Sequence, residues 1–154
     1  MPATPIYVAI VDDDEELCRS FGRLLRAAGF QPITYASGEA FIADTKHPQF
    51  DCLVLDIELG GMSGIDLAEH LVAKGCSTPF IFITAHEHLN ALARARAPGA
   101  AAYFRKTDSG ADVLSVIRRC VRGRRVKQPV TKHQRTRSEA ATPNRSMSWT
   151  KRSC

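Results

Sequence analysis

The sequence predicts an α/β fold, in which a doubly wound, five-stranded parallel sheet carries five helices. Short apolar runs rich in β-branched residues alternate five times with stretches of helical period, and this alternation is typical of a parallel sheet. The apolar runs contain almost no polar residues, as expected for strands that are buried on both faces. Right-handed crossovers then place helices on both sides of the sheet.

The first two strand–helix units are predicted within residues 6–43. The first strand covers residues 6–11. The helix after it repeats apolar residues at helical spacing and ends at Gly29, because glycine is favoured just beyond a helix C-terminus. The second strand covers residues 31–35, and Ser37 is expected to cap a short second helix.

The next three units follow the same pattern. The third strand, residues 52–55, ends at Asp56, and a glycine-rich turn over residues 60–64 leads into the third helix. The fourth strand, residues 79–83, ends at Thr84 and precedes an alanine-rich helix over residues 89–97. A strand over residues 101–104 and a helix over residues 108–121 complete the predicted domain, residues 1–121.

Charge divides the chain at the end of this domain. Residues 1–117 hold 9 Lys/Arg against 15 Asp/Glu, whereas residues 118–154 hold 12 Lys/Arg against 1 Asp/Glu. From Gly123 onward the sequence has no helical or strand period and few large apolar residues. We therefore expect residues 122–154 to form a basic, disordered tail, because they bury too little apolar surface to offset their ordering entropy.

The sequence also predicts where the protein resides. Its longest apolar run is six residues and its N-terminus carries no Lys or Arg before Arg19, so we expect neither a membrane span nor a signal peptide. No two of the five cysteines lie within four residues of each other, so zinc-ribbon and paired redox motifs are absent. These features predict a cytoplasmic protein with free thiols and no membrane partner.

Polar side chains follow four of the predicted strands at the point where each strand ends: Asp12 and Asp13, Asp56, Thr84 and Lys106. In a doubly wound sheet, functional groups collect at the carboxyl ends of the strands. If the first and third strands are neighbours, three carboxylates crowd together, and like charges at close range do not all stay ionised without a cation. Mg²⁺, a hard ion with oxygen ligands, fits such a cluster.

For any one of these acids, a role as a turn or helix-cap residue is the simpler interpretation. Asp14 is assigned that role. The presence of five suitable residues at four strand ends nevertheless favours a functional site.

The sequence resembles the receiver domain of two-component response regulators, the CheY-like family. The stretches VAIVDDDEE, CLVLDIELGGMSGIDL, PFIFITAH and GAAAYFRK carry the resemblance, which covers residues 6 to about 121. The runs YASGEAFI and MSGIDLAEHL look most like the FixJ-type subgroup, which usually carries a helix-turn-helix output domain. The resemblance implies a flavodoxin-like sheet with strand order 2-1-3-4-5.

The resemblance also implies a role for each matched residue. Asp56 matches the phosphoacceptor, whose carboxylate takes a phosphoryl group from a sensor histidine kinase or a phosphotransfer protein. Thr84 matches the hydroxyl that reaches a phosphoryl oxygen, and Lys106 matches the lysine that pairs with the phosphoryl group. The Mg²⁺ ligands that the resemblance implies are Asp12 (through water), Asp13, Asp56 and the backbone carbonyl of Glu58.

Tyr103 matches the aromatic switch position of the family. The resemblance implies that Thr84 moves toward a phosphorylated Asp56 and that the ring of Tyr103 fills the vacated space. This change would bias a surface made by the fourth helix, the fifth strand and the fifth helix, which could also hold a homodimer. The alternative is that Tyr103 is a half-buried strand aromatic without a switching role.

The sequence departs from the family pattern in three respects. Thr107 and Gly60 stand where the family usually has proline, so we do not expect the family's cis peptide bond after Lys106. In addition, residues 122–154 show no recognition-helix pattern, so the DNA-binding output domain of the subgroup is not expected in this sequence.

The expected function is a phosphorylation-dependent protein switch, not an enzyme with an external product. One alternative is a DNA-binding regulator, or a truncated one, because the tail's positive charge fits phosphate contacts with nucleic acid. The simpler interpretation of the tail is a solvated linker or a remnant. A phosphatase-like enzyme with Asp56 as nucleophile is a third interpretation, which we discount because that class places its nucleophile after the first strand.

Overall fold

The structure is a computed structural model that describes residues 4–127, with side chains described through Arg125. Five strands and five helices alternate along this part of the chain. The strands are β1 (Tyr7–Val11), β2 (Gln31–Tyr35), β3 (Cys52–Asp56), β4 (Phe80–Thr84) and β5 (Ala102–Arg105). The helices are α1 (Glu15–Ala27), α2 (Gly38–Ala43), α3 (Gly64–Ala73), α4 (His88–Arg96) and α5 (Gly110–Lys127).

The five strands form one parallel sheet in the order β2-β1-β3-β4-β5, which confirms the predicted topology. Every residue of β3 and β4 is buried, whereas the edge strands β2 and β5 are partly exposed. In the register, Val11 lies opposite Leu55, and Asp56 lies opposite Ile83. The polar residues that follow β1 and those that end β3 and β4 therefore meet at the carboxyl end of the sheet.

Two apolar cores cover the two faces of the sheet, as a doubly wound fold requires. On one face, α2, α3 and α4 pack side chains such as Phe41, Ile65 and Ala93 against the sheet. On the other face, α1 and α5 contribute side chains such as Leu25 and Ile117. Both cores are continuous from β1 to β4, so the carboxyl ends of these strands are held on a rigid base.

The helix boundaries near the polar edge follow from local capping. Asp14 caps α1, since its side chain accepts hydrogen bonds from the backbone N–H groups of Glu16 and Leu17. Ser37 caps α2 in the same way, which confirms both predicted caps. Gly29, with φ of +94°, follows the end of α1, where a left-handed conformation favours glycine.

The fifth helix is longer than the sequence predicts. It continues to Lys127, past the expected end at residue 121, so residues 122–127 are helical and not part of a disordered tail. The cause is a contact far away in the sequence: the guanidinium of Arg125 binds both carboxylate oxygens of the buried Asp51 at 3.2 and 2.9 Å. Residues 128–154, which make up the rest of the predicted tail, lie outside the described residues.

The cysteines only partly follow the prediction of free thiols. Cys18, Cys52 and Cys120 carry free thiols, whereas Cys76 is disulfide-bonded, so the prediction is wrong for that residue. Among the described residues, no helix is both long and apolar enough to cross a bilayer.

Candidate functional site

Three carboxylates converge at the edge of the sheet where β1 and β3 end. One oxygen from each of Asp12, Asp13 and Asp56 lies within 4.8 Å of the other two. Asp12 and Asp56 are 2% and 1% exposed, whereas Asp13 is exposed to solvent. The cluster is therefore a pocket with two buried acids at its base and one acid at its mouth.

Lys106 supplies the positive charge of this pocket. Its ammonium nitrogen Nζ lies 3.1 Å from Oδ2 of Asp12 and 3.2 Å from Oδ2 of Asp56. A backbone hydrogen bond from Lys106 N to the carbonyl of Thr84 holds the lysine at the end of β5. Burial disfavours its charged form, but the hydrogen bond and charge of Asp12 and the charge of Asp56 outweigh burial and raise the pKa of Lys106.

The two buried acids compete for this single lysine. Burial, followed by the negative charge of Asp12, raises the pKa of Asp56 from 3.8 to about 7. Lys106 and the N–H of Glu58, which donates to Oδ1 of Asp56 at 3.1 Å, oppose this rise without cancelling it. The pocket therefore holds more negative charge than its own residues neutralise near pH 7.

The loops that build the pocket also set its shape. Asp12 Oδ1 accepts a hydrogen bond from the N–H of Asp14, the residue that caps α1, so the pocket and the helix share one turn. After β3 the chain passes so close to itself that a Cβ on Gly64 would lie 2.1 Å from the backbone oxygen of Asp56. Only glycine fits at this position without moving the end of β3.

Thr84 and its neighbours form the far wall of the site. Thr84 is fully buried, and its hydroxyl oxygen accepts a hydrogen bond from the N–H of His86 at 3.1 Å. The ring nitrogen Nδ1 of His86 lies 2.9 Å from a carboxylate oxygen of Glu58, and both side chains are more than half exposed. This pair joins the loops after β3 and β4 beside the pocket, a contact that the separate positions of the two residues in the sequence did not reveal.

Tyr103 is half-buried on β5 and is held by α4. Its hydroxyl donates to the carbonyl of Ala97 at 2.9 Å, and its ring stacks on Phe82 with 5.8 Å between centroids. The guanidinium carbon of Arg94 lies 4.3 Å from the ring centroid, within cation–π range. The position of Tyr103 was expected from the sequence, but Arg94 was missed, because its place in an alanine-rich helix gives no signal of this contact.

The residues of the pocket fit a hard divalent cation. Oδ2 of Asp12 is buried and accepts no hydrogen bond, although Lys106 Nζ lies 3.1 Å away. Carboxylate oxygens are the ligands that Mg²⁺ prefers, and the exposed Asp13 leaves the pocket open to the water molecules that Mg²⁺ usually retains. Among the described residues, this is the one group of acids, histidines or cysteines close enough to hold a metal ion.

Comparison with known proteins assigns the class to which this fold and pocket belong. Residues 8–118 match the response regulator receiver domain, so the chain belongs to the receiver domain family of two-component systems. Receiver domains are generally signalling modules and not enzymes, and sensor histidine kinases or phosphotransfer proteins are their partners. The family, and with it the resemblance to FixJ-type proteins, is confirmed.

Individual response regulators and their solved structures are similar to this chain in sequence and in fold. The response regulator protein TmoT of Ectopseudomonas mendocina is 32% identical over 111 residues, which are 72% of this chain and 50% of TmoT. The response regulator StyR shares 31% identity with a TM-score of 0.75 over 94% of this chain and 74% of its own. The crystal structure of FixJ-N shares 28% identity with a TM-score of 0.68 over 78% of this chain and 96% of its own. The chain spans about half the length of the curated relatives that it matches.

Proposed function

We propose that this protein accepts a phosphoryl group on Asp56 and thereby acts as a switch in a two-component phosphorelay. The observation that carries the proposal is the buried Asp56 carboxylate at the end of β3, 3.2 Å from Lys106 and clustered with Asp12 and Asp13. Phosphoryl transfer requires positioned charge more than covalent help from side chains. This pocket supplies such charge at a fixed place.

In the proposed transfer, an oxygen of Asp56 attacks the phosphorus atom and the bond from phosphorus to the donor histidine nitrogen breaks. The electron pair of that bond stays on the nitrogen. Asp12, Asp13, Asp56 and the backbone carbonyl of Glu58 are the residues that would hold Mg²⁺, which when bound would offset negative charge on the phosphoryl oxygens. Lys106 keeps the acceptor oxygen in place and pairs with the incoming phosphoryl group.

The switch that we propose begins at Thr84. A phosphorylated Asp56 adds acceptor oxygens, which can draw the Thr84 hydroxyl away from the N–H of His86. The ring of Tyr103 would then turn toward the vacated space and give up its hydrogen bond to Ala97 at the end of α4. The surface of α4, β5 and α5 would change as a result, for a protein partner or a second copy of this chain.

The proposed phosphoacceptor is tested by incubation with Mg²⁺ and acetyl phosphate, followed by measurement of the intact mass. We expect one phosphoryl group on the parent protein and on Asp66→Asn, a control that removes an exposed acid outside the pocket, and none on Asp56→Asn. A phosphorylated Asp56→Asn variant would refute the assignment. Beryllium trifluoride, a stable analogue of the phosphoryl group, provides a second measurement. Together with Mg²⁺ it should raise the melting temperature of the parent and leave that of Asp56→Asn unchanged.

The proposed switch is tested with Tyr103→Phe. This variant keeps the ring on Phe82 but removes the hydroxyl that binds Ala97. We expect it to accept phosphate at the parent's rate and to show an altered equilibrium of self-association or partner binding. If the phosphorylated variant and the phosphorylated parent associate identically, the Tyr103 hydroxyl has no part in the switch.

A second candidate, nucleic-acid binding, is favoured by one observation on α5. Arg118, Arg119 and Arg122 are exposed on this helix and are not within ion-pair distance of any acid among the described residues. Exposed arginines can bind nucleic-acid phosphates, and such binding weakens steeply with salt. Titration of labelled duplex DNA with the full chain at two salt concentrations tests this candidate, because binding that does not depend on salt would exclude phosphate contacts.

A further inference from the structure

Two of the free cysteines share one apolar core at the end of β3 that faces away from the pocket. Cys52 is the first residue of β3 and is fully buried, and Cys120 lies on α5 and is half-buried. The thiol of Cys52 donates to the backbone carbonyl of Leu53 at 3.8 Å. Each of the two thiols shifts the pKa of the other, and both side chains belong to the core between α1, α5 and the sheet. Cys18 is the third free cysteine of residues 4–127, and its thiol donates to the backbone carbonyl of Asp12 at 3.4 Å.

The environments of these three thiols give them different reactivities. The hydrogen bond from Cys52 lowers the pKa of Cys120 to about 7 against the effect of burial, and the charge of Arg119 assists. The pKa of Cys52 is raised, and burial followed by the charges of Asp12 and Asp14 raises the pKa of Cys18 to about 11. Because the thiolate is the reactive form, Cys120 should be the nucleophile of the three.

We propose that Cys52 and Cys120 form an oxidisable pair, which hydrogen peroxide or another hydroperoxide converts into a disulfide between β3 and α5. The proposal rests on the place of both thiols in one core between α5 and β3, on the partial exposure of Cys120 and on the burial of Cys52. It does not depend on phosphorylation of Asp56. Disulfides of cytosolic proteins are mostly transient and redox-sensing, and this pair has the matching arrangement of one accessible and one sheltered thiol.

The chemistry balances in two steps. The sulfur of Cys120, as thiolate, attacks one oxygen of the peroxide, the O–O bond breaks, and hydroxide leaves and takes up a proton as water. Cys120 is then a sulfenic acid. Cys52 gives up its proton, its sulfur attacks the sulfur of Cys120, and the hydroxyl of the sulfenic acid leaves with that proton as a second water. The two thiols lose two electrons, which reduce one hydrogen peroxide to two water molecules.

The disulfide would act on the strand that carries the phosphoacceptor. A disulfide holds the Cα atoms of its cysteines within about 7 Å, so oxidation would fix the separation of α5 from β3. It would also close a long loop of the chain, which restricts the unfolded state. We therefore expect the oxidised protein to melt at a higher temperature than the reduced protein, and the reductant to reverse the change.

The test uses the full chain, reduced and freed of reductant, treated with hydrogen peroxide, alkylated and digested with trypsin. Cleavage places Cys52 in the peptide 47–74, Cys120 in the peptide 120–122 and Cys18 in the peptide 1–19. We expect peptides 47–74 and 120–122 to appear joined, with loss of two hydrogens, and to separate after reduction. Cys120→Ser should abolish the joined species, and the control Cys18→Ser should retain it.

A measurement on the parent protein alone keeps the proposal falsifiable if Cys120→Ser fails to fold. At pH 7, iodoacetamide should modify the peptide 120–122 at least tenfold faster than the peptide 1–19. Equal rates, oxidation of Cys120 to sulfinic acid without a joined peptide, or a disulfide from Cys120 to any cysteine other than Cys52 of the same chain would each overturn the proposal.

Discussion

Asp56→Asn should stabilise the metal-free protein, and the gain should grow with pH. In the folded protein, burial and the charge of Asp12 raise the pKa of Asp56 from 3.8 to about 7. The folded state therefore binds the proton more tightly than the unfolded state. The stability that this proton contributes is fully present below pH 3.8 and is lost as the pH rises through about 7.

The magnitude follows from that shift. One pKa unit is worth about 1.4 kcal/mol, so a rise from 3.8 to about 7 amounts to about 4 kcal/mol over the whole range. Between pH 5 and pH 8 the loss is about 3 kcal/mol, because part of it falls below pH 5. Asparagine carries no charge at either pH, so it should remove this part of the pH dependence.

The assay is urea unfolding of parent and variant at pH 5 and pH 8 with excess EDTA. We expect the free energy of unfolding of Asp56→Asn, relative to the parent, to increase by about 3 kcal/mol between the two pH values. Asp66→Asn is the control. Arg96 lowers the pKa of Asp66, so that acid is ionised throughout this window and its replacement should have an effect that does not change with pH.

An equal loss of stability with pH in the parent and in Asp56→Asn would refute this reasoning. It would mean that the carboxylate keeps an ordinary pKa in the folded protein, so that Lys106 alone neutralises the pocket. Millimolar Mg²⁺ provides a further check. A bound cation favours ionised Asp56, so it should flatten the pH dependence of the parent and leave that of Asp56→Asn nearly unchanged.

Three further predictions concern the metal, the end of α5 and the turn after β3. Asp13→Ala should lose most of the increase in melting temperature that Mg²⁺ gives the parent, and should melt higher than the parent without metal, because repulsion in the pocket is relieved. A chain ending after Lys127 should fold and bind Mg²⁺ like the full chain. In a chain ending after Arg122, the buried Asp51 loses its guanidinium partners. Urea unfolding of that shorter chain should therefore show a free energy of unfolding that is lower by about 2–3 kcal/mol. Gly64→Ala should lower the melting temperature and weaken Mg²⁺ binding together, since its Cβ would displace the end of β3; a variant that melts like the parent would show that this turn gives way easily.

The alternation of strands and helices could be predicted because apolar runs and helical periods are local features of the sequence. The strand order that brings Asp12, Asp56 and Lys106 together was implied by the resemblance to receiver domains, and the structure confirms that order. The end of α5 could not be predicted. Residues after Gly123 have no apolar period, and their helix depends on Asp51, which lies 74 residues from Arg125 in the sequence.

Packing between elements also limited what could be predicted for Tyr103. Its position on β5 was evident from its place before Lys106, but its hydrogen bond to Ala97 and its contact with Arg94 depend on how α4 packs on the sheet. A side-chain conformation of this kind is set by neighbouring elements, and a single sequence carries little information about it.

The contact between Asp51 and Arg125 has a practical consequence for attachments to this protein. Asp51 directly precedes β3 and Asp56 ends it, so the anchored end of α5 and the carboxylate pocket lie at opposite ends of one strand, about 17 Å apart at 3.3 Å per residue. A fluorescent protein, affinity tag or second domain joined after Lys127 would start from the edge of the sheet that faces away from the pocket. Such fusions should leave the pocket accessible to a phosphodonor. A tag inserted into the loops after β1, β3 or β4 would block that access.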